Sequence, residues 1–263
     1  MTRYNLENKL AIITGGAGFL GIEHAKALIE ADAKVVLLDV NSKKLNKMKN
    51  YFSMLNKEVH YFKTDITKER SVKNTLNLIK KKFKKIDILI NNAAIDYIPT
   101  KKKIKPSRFV KYSIEHWKRD IDVQLTGAFI CCKIIGGEIA KEGGVILNIA
   151  SDLSLIAPQQ SLYSHLKSIK PPSYSVAKHG IVGLSKYLAS YWADSNVRVN
   201  TLSPGGVFNS QDKVFIKKIK KLIPMKRMAN VNEYKEAVQF LCSDASSYMT
   251  GHNMVIDGGR SII

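Results

Sequence analysis

Leu10-Ala-Ile-Ile-Thr14 is a short apolar run that ends in Gly15-Gly-Ala-Gly18-Phe-Leu-Gly21. It passes into a helical pattern reaching Ile29 and resumes as a second apolar run, Lys34-Val-Val-Leu-Leu38, closed by Asp39. The order is strand, glycine turn, helix, strand. Glycines at 15, 18 and 21 let the backbone turn tightly and approach a pyrophosphate, whose charge the free N–H groups and dipole of the next helix stabilise. Asp39 ends the second strand where a carboxylate can accept both ribose hydroxyls of an adenosine. A glycine turn alone carries little weight, but turn, helix and terminal acid in register are fairly specific for a dinucleotide. The competing reading of Asp39 is an N-cap of the helix that begins near Asn41.

The alternation continues outward. Glu58-Val-His-Tyr-Phe62 reads as a third strand followed by Asp65, a lysine-rich helix runs to about Lys85, and Ile86-Asp-Ile-Leu-Ile90 is a fourth strand ending in Asn91-Asn-Ala-Ala94. A basic loop (97–111) leads to a long helix (114–140) that contains Gln124. The strand Gly144-Val-Ile-Leu-Asn148 follows, with Ser151 just past it. After an irregular stretch come a helix (173–193), the strand Val197-Arg-Val-Asn-Thr201, Pro204-Gly-Gly-Val207, a helix near 233–242 and Met254-Val-Ile-Asp-Gly-Gly259. Strands separated by helices at this spacing imply a parallel, doubly wound α/β sheet whose ligand lies at the carboxyl ends of the strands. Thr14, Asp39, Asp65 and Asn91 all sit at such ends. No Pro/Gly/Ser-rich linker divides the chain, so residues 1–263 read as one domain.

Tyr174-Ser-Val-Ala-Lys178 supplies the chemistry. A helix through it sets phenol and ammonium four residues apart on one face, within reach of one small ligand. The positive charge favours the phenolate, so a group that normally titrates near pH ~10 exchanges its proton closer to neutrality. Tyr163-Ser-His-Leu-Lys167 repeats the spacing, as chance allows in a chain with 11 tyrosines. As a plain helix-surface pair either copy contributes only about 0.2–0.5 kcal/mol.

Composition narrows the partners. Lys+Arg number 42 against 22 Asp+Glu, a formal net charge of +20, with lysine-rich runs at 80–85, 101–105 and 217–221. Such charge suits nucleic acid, an acidic membrane surface, an anionic substrate or simply a solvated face. No nucleic-acid module accompanies it, so no nucleic-acid partner is expected. Cys131, Cys132 and Cys242 lack metal-ligand spacing with the six histidines, and the adjacent pair points to different sides of a helix. They read as buried thiols of a reducing compartment, with no metal. There is no apolar signal core at the N-terminus, and no apolar run approaches the ~18 residues a membrane span needs. A cytoplasmic, soluble protein without a membrane partner is expected.

Taken in order, Thr14-Gly-x-x-Gly-x-x-Gly21, Asp65, Asn91-Asn-Ala93, Ser151, Tyr174-x-x-x-Lys178, Arg198-Val-Asn200, Pro204-Gly205, and Thr250-Gly251 with Asp257-Gly-Gly259 resemble the short-chain dehydrogenase/reductases over nearly the whole length. The ending is that of the family's single-domain branch. The resemblance implies a Rossmann fold of three layers, a parallel seven-stranded sheet with helices on both faces. The 30 residues from Tyr174 to Pro204 match the family's spacing, whereas from Tyr163 the interval is 11 longer. Position selects Tyr174.

By that resemblance Ser151 hydrogen-bonds the substrate oxygen, Tyr174 exchanges its proton, and Lys178 holds the nicotinamide ribose while lowering the tyrosine's pKa. The cofactor then lies against Gly15, Gly18, Phe19, Leu20, Gly21 and Asp39 at one end. Asp65, Ile66, Asn91, Asn92, Ala93 and Ala94 line its middle, and Tyr174, Lys178, Pro204, Gly205 and Val207 its nicotinamide end. Ser151, Tyr163, Tyr174 and Gly206 are the implied substrate contacts. The reaction is hydride transfer between nicotinamide and a carbonyl/alcohol carbon.

Three features depart from the family's pattern. Phe19 stands where the single-domain branch has its middle glycine, and Gly18 gives instead the spacing of the extended branch, which includes sugar-nucleotide epimerases and dehydratases. Gln124 replaces the asparagine that completes a proton relay. The interval between Ser151 and Tyr174 is longer than usual, and its text resembles dehydrogenases of bacterial surface-glycan and flagellin sugar pathways. Segment 152–172 is expected to wall the substrate site, offering Gln159, Gln160, Ser161, Tyr163, His165 and Lys167 to a polar, sugar-like and even anionic substrate.

The leading expectation is an NAD(P)(H)-dependent oxidoreductase of carbohydrate metabolism. NAD(H) is expected over NADP(H), because Asp39 repels a 2′-phosphate and no arginine stands beside the glycine turn or after Asp39, although Lys43 and Lys44 are near. Two apolar helices point to a homotetramer or dimer. Two alternatives stand beside this: an epimerase or dehydratase with retained NAD, and a non-catalytic dinucleotide or nucleic-acid binder.

Overall fold

All five residues of β1 (Leu10–Thr14) are buried, which an apolar five-residue run achieves only as a central strand covered on both faces. In the computed structural model, which describes residues 4–55, 57–95, 99, 108–166 and 168–263, β1 is joined by β2 (Lys34–Asp39), β3 (Val59–Lys63), β4 (Ile88–Asn91), β5 (Gly144–Ile149), β6 (Val197–Pro204) and β7 (Asn253–Ile256). The strands form one sheet in the order β3-β2-β1-β4-β5-β6-β7, every pairing parallel. The order reverses between β1 and β4, and a crevice opens there at the carboxyl ends.

Alternate strand residues feed opposite layers. Ala11 and Ile13 pack with Val35 and Leu37 against Ala25 and Leu28 of α1 (Phe19–Glu30) and Val238 and Leu241 of α9 (Lys235–Cys242). Leu10 and Ile12 pack with Val36 and Leu89 against Val72 and Ile79 of α3 (Glu69–Lys80) and Leu188 of α7 (Pro172–Tyr191). These two apolar layers enclose the sheet, giving the expected doubly wound, three-layer architecture.

The helix expected over 114–140 is broken into α4 (Ile114–Ile121), α5 (Gly127–Cys131) and α6 (Gly137–Ile139) by two π-helical turns, Asp122–Thr126 and Cys132–Gly136. Each π turn admits an extra residue and re-aims the side chains beyond it. Cys131 and Cys132 accordingly enter the same apolar layer rather than opposite sides. Burial pushes the Cys132 thiol up to about 12 against the hydrogen bond from Asn91, which leaves it inert. The fourth strand starts two residues late because Asp87 serves as a buried acceptor for the Leu10 N–H (2.9 Å).

A third, smaller apolar cluster stands apart. Leu162 and Tyr163 pack with Phe215, Ile219, Ile223 and Met228, joining the long segment before α7 to α8 (Lys213–Ile219). His165 Nε2 lies 2.8 Å from Asp212 Oδ1, and Lys218 Nζ donates to Ser161 O at 2.8 Å. Among the described residues no helix is long and apolar enough to cross a membrane, and no cluster of His, Cys, Asp or Glu could hold a metal.

Candidate active site

The glycine turn is shaped by what its backbone touches. Gly15 has φ +60°, and a Cβ there would lie 2.7 Å from Ala93 Cα; at Gly21 a Cβ would lie 2.4 Å from Gly15 O. Only glycine allows this closeness. α1 opens at Gly18 with no side-chain cap, so its first N–H groups face the crevice, where an anion can take them. The turn is pinned from β4: Asn92 Nδ2 donates to Thr14 O (3.0 Å) and Gly15 O (3.1 Å), while Thr14 Oγ1 accepts the N–H of Asn92 and of Ala93.

Asp39 accepts the Asn41 N–H on Oδ1 (2.9 Å) and the Ala17 N–H on Oδ2 (3.3 Å). Asn41, not Asp39, caps α2 (Ser42–Met54), accepting from the Lys44 N–H. Asp39 therefore stays turned to the crevice. Burial works against the Asp65 carboxylate, but the Thr67 hydroxyl and N–H and the Lys68 ammonium outweigh it, and its pKa is lowered. A cavity of about 1000 Å³ runs between these groups, from Gly15, Gly18, Asp39 and Asn41, past Asp65, Ile66, Asn92 and Ala94, to Tyr174 and Lys178. A bare glycine turn, an uncapped helix start and a strand-end acid fit a dinucleotide.

Five expected cofactor contacts lie off this cavity: Pro204, Gly205 and Val207, which line a smaller one beside it, and Asn91 and Gly21. Asn91, the last residue of β4, is buried and donates to Asn148 Oδ1 (2.8 Å) and Cys132 Sγ, so it braces the sheet; the next residue, Asn92, lines the cavity. Gly21 sits beneath the turn and acts through its missing side chain. Lys118 and Arg119 of α4, which sequence reasoning did not select, also line the cavity.

At the far end Tyr174 stands on the first turn of α7, with Pro172 at a position where the missing N–H costs nothing. That turn is held by buried Asp120, whose Oδ2 accepts from Ser173 Oγ (2.8 Å) and Tyr112 Oη (2.9 Å). Lys178 Nζ donates to Ile149 O at 2.9 Å and lies 5.6 Å from the Tyr174 ring centroid; Lys170 Nζ lies 3.7 Å from that centroid. Two ammonium groups thus lie close to one phenol ring. Ser151 lies past β5 and donates to Asp152 Oδ1 at 2.8 Å. Gln124 falls within the first π turn, 2% exposed, and neither amide atom has a partner among the described residues. A buried amide in that state calls for water or ligand.

A second cavity of about 160 Å³ adjoins the first, sharing Phe19, Leu20 and Tyr174. Ser151, Tyr163, Lys170, Gln211 and Arg260 line it, together with Pro204, Gly205, Gly206 and Val207. The segment before α7 is thus a wall, yet several of its expected ligands are engaged in holding it. Gln160 Oε1 accepts the Lys170 N–H, and His165 pairs with Asp212. Lys167 lies outside the described residues. Tyr163 is on no α-helix, so its pair with Lys167 is not a helix-face pair.

Comparison with known proteins agrees with this geometry. A family model described as enoyl-(acyl carrier protein) reductase matches residues 17–261. The chain is 33% identical to the NAD-dependent glycerol dehydrogenase of Listeria innocua serovar 6a, over 98% of this chain and 96% of that protein. It is 30% identical to the D-threitol dehydrogenase of Mycolicibacterium smegmatis (98% and 95% covered), and 28% identical to the post-translational flagellin modification protein A of Campylobacter coli (97% and 98% covered). A gluconate 5-dehydrogenase of Burkholderia cenocepacia, solved in complex with NADP and tartrate, superposes with a TM-score of 0.86 at 25% identity, covering 99% of this chain and 98% of that one.

Proposed function

This chain belongs to the short-chain dehydrogenase/reductase family and is an NAD(P)(H)-dependent oxidoreductase; from that premise we propose that it is an NAD(H)-linked dehydrogenase of a small polyol or related sugar derivative. The observation that carries the reading is the small cavity that shares Tyr174 with the dinucleotide cavity and is walled by Ser151, Tyr163, Lys170, Gln211 and Arg260. Ser151, Lys170, Gln211 and Arg260 give it groups that match hydroxyls, set beside the apolar side chains of Leu153, Phe215, Ile219 and Met228. Names of relatives at 30% and 33% identity, a threitol and a glycerol dehydrogenase, point the same way.

Bound in the larger cavity, the nicotinamide supplies the hydride donor or acceptor. The protein's share is geometry and charge. Asp39 would accept the adenosine ribose hydroxyls and disfavour a 2′-phosphate, Asn92 would line the middle of the dinucleotide, and the backbone at Val207 would hold the nicotinamide end. Ser151 and Tyr174 meet the substrate oxygen. Tyr174 holds the proton to be exchanged, and the positive charge of Lys178 and Lys170 beside its ring stabilises the charge a phenolate carries. Gln124 stands where a relay member belongs, and its unpartnered amide suits an ordered water. We place the enzyme in the cytoplasm, with its three free, buried cysteines reduced.

We also propose a homo-oligomer, a tetramer or dimer. Tyr187 and Tyr191 stack on α7 (5.9 Å, 11°) while 65% and 67% exposed, and Phe129 of α5 is 50% exposed. Apolar faces of this kind usually meet a second copy. A monomer by light scattering at micromolar concentration removes that part of the proposal.

The function is tested by titrating NADH and NADPH separately and by assaying glycerol, threitol and xylitol against apolar alcohols with NAD⁺. Tighter NADH binding and turnover of polyols are expected. A preference for NADPH defeats the cofactor assignment, and turnover confined to apolar alcohols defeats the substrate class.

A further inference from the structure

The Ser151 hydroxyl is fixed by its neighbour. Its O–H donates to Asp152 Oδ1 (2.8 Å) and its Oγ accepts the Leu153 N–H (3.2 Å). Asp152 Oδ1 also accepts the Leu153 N–H (2.9 Å), while Oδ2 accepts from Arg260 Nη1 at 2.7 Å. Asp152 is 2% exposed and Arg260 7%. Burying both charges costs desolvation that apolar side chains of similar volume would avoid, so a tail needing only closure has no use for the pair. Removing one partner alone leaves a buried, uncompensated charge.

Arg260 reaches this position from 108 residues along the chain, by a turn built to deliver it. Gly258 (φ +68°) and Gly259 (φ +87°) are both left-handed, a conformation that strains other residues. Asp257 closes the turn, accepting the Gly259 N–H (2.9 Å) and the Ser261 N–H (2.7 Å). The turn presses on the loop after β6, where a Cβ at Gly205 would lie 2.6 Å from Asp257 Cα. From the end of β7 the chain therefore returns directly to the wall of the small cavity.

We infer that Arg260 is a positioning residue for the reaction: its guanidinium locks Asp152, and Asp152, by accepting the Ser151 O–H, holds that Oγ in one rotamer at the cavity wall with its second lone pair open to a substrate hydroxyl. The inference rests on the assignment of Ser151 as the hydroxyl that meets the substrate. Arg260 acts through Ser151 and not on the dinucleotide, so its loss appears in kcat and spares NADH binding.

The test is a double-mutant cycle on the full-length enzyme, using whichever of glycerol, threitol and xylitol it oxidises fastest. Arg260→Met is expected to lower kcat by about tenfold or more, and to leave the NADH dissociation constant within about twofold of wild type. Arg260→Lys, which keeps the charge, should recover most of the rate. In a Ser151→Ala background Arg260→Met should remove nothing further, because its only route of action is gone. Additive losses, or wild-type kcat in Arg260→Met, overturn the inference. Should the unpaired Asp152 prevent folding, Asp152→Leu/Arg260→Met removes both charges; a kcat equal to that of Ser151→Ala supports the inference, and wild-type kcat overturns it. Wild-type turnover in Ser151→Ala by itself would instead remove the assignment of Ser151, and is measured first.

Discussion

The two ends of the crevice are made of different material. At the dinucleotide end the determinants are backbone: a turn whose glycines admit Ala93 and Gly15 O at contact distance, an uncapped helix start, and one acid held by two N–H groups. At the reacting end they are side-chain pairs between distant parts of the chain. Asp120 with Ser173 spans 53 residues, His165 with Asp212 47, and Asp152 with Arg260 108. The first end should fail sterically when a methyl group is added, and the second should fail chemically when a polar atom is removed.

The largest effect belongs to the reacting end. Tyr174→Phe removes one oxygen and is expected to cut kcat by roughly 10²–10⁴-fold, the range of general acid/base catalysis, with NADH affinity nearly unchanged. Tyr163→Phe should act on KM alone, since Tyr163 is 8% exposed and packs its ring on Phe215 at 5.4 Å. Steady-state kinetics with NADH fluorescence titration separates the two. An active Tyr174→Phe enzyme would erase the contrast between the ends.

Next comes acid stability, which belongs to the layer under the dinucleotide end. His24 of α1 is 1% exposed, its Nε2 has no partner among the described residues, and burial lowers its pKa to about 4 from 6.5. The base is depressed in the fold, so between pH 6.5 and about 4 the unfolded chain binds a proton that the fold refuses. Stability therefore rises with pH across that window, and about 3 kcal/mol is lost as pH falls through it. His24→Leu should flatten this part of the curve in denaturant titrations from pH 4 to 7. An unchanged pH dependence in the variant would assign the acid lability elsewhere.

Gly21→Ala then isolates the steric claim. The new methyl would meet Gly15 O at 2.4 Å and Gly16 Cα at 2.9 Å, backbone atoms with nowhere to go, at a cost of about 1–3 kcal/mol and with weaker NADH binding. Gly137 of α6 is the control, having nothing within 4 Å of its Cβ position. Gly137→Ala should stabilise the helix by about 0.5–1 kcal/mol and leave NADH binding alone. Equal behaviour of the two variants in thermal melts would mean that the turn is looser than its contacts imply.

The same contrast explains what the sequence disclosed. Strand ends are positions with meaning, so the glycine turn, Asp39 and Asp65 could be placed by spacing, along with the doubly wound sheet, whereas Tyr174 is selected over Tyr163 only by the family's tyrosine-to-proline interval. Asn91 shows the grain of that method: a strand's side chains alternate, and one residue decides whether an amide braces the sheet or, as Asn92, lines the cavity. Arg260 and Asp120 left no local trace. Their partners lie 108 and 53 residues away, and neither periodicity nor motif marks an isolated arginine or a single helix aspartate. The π turns were invisible for a related reason, since a helix with one extra residue keeps nearly the same apolar pattern.

The smallest expected effect is the sharpest check on the reacting end, because it separates a pair from a cap within one residue. Asp212 accepts the Val214 and Phe215 N–H groups at the start of α8 and also pairs with His165 at 2.8 Å. Burial opposes its charge, but the hydrogen bond from His165 and then the two backbone N–H groups prevail, so its pKa is lowered. A depressed carboxyl contributes stability above its unfolded pKa and loses it only as pH falls through the folded value, so the clasp's Asp212 stays charged near neutrality. Asp212→Asn keeps an oxygen for the cap and discards the charge; Asp212→Ala discards both. If the Asp212–His165 contact holds the wall of the small cavity, Asp212→Asn raises KM for the polyol by about two- to fivefold with NADH binding unchanged, consistent with the modest net worth of a single hydrogen bond. Asp212→Ala should raise it further. KM values that stay at wild type in Asn and rise only in Ala would make Asp212 a helix cap and nothing more, leaving the wall to the Tyr163 and Phe215 rings and the apolar cluster around them.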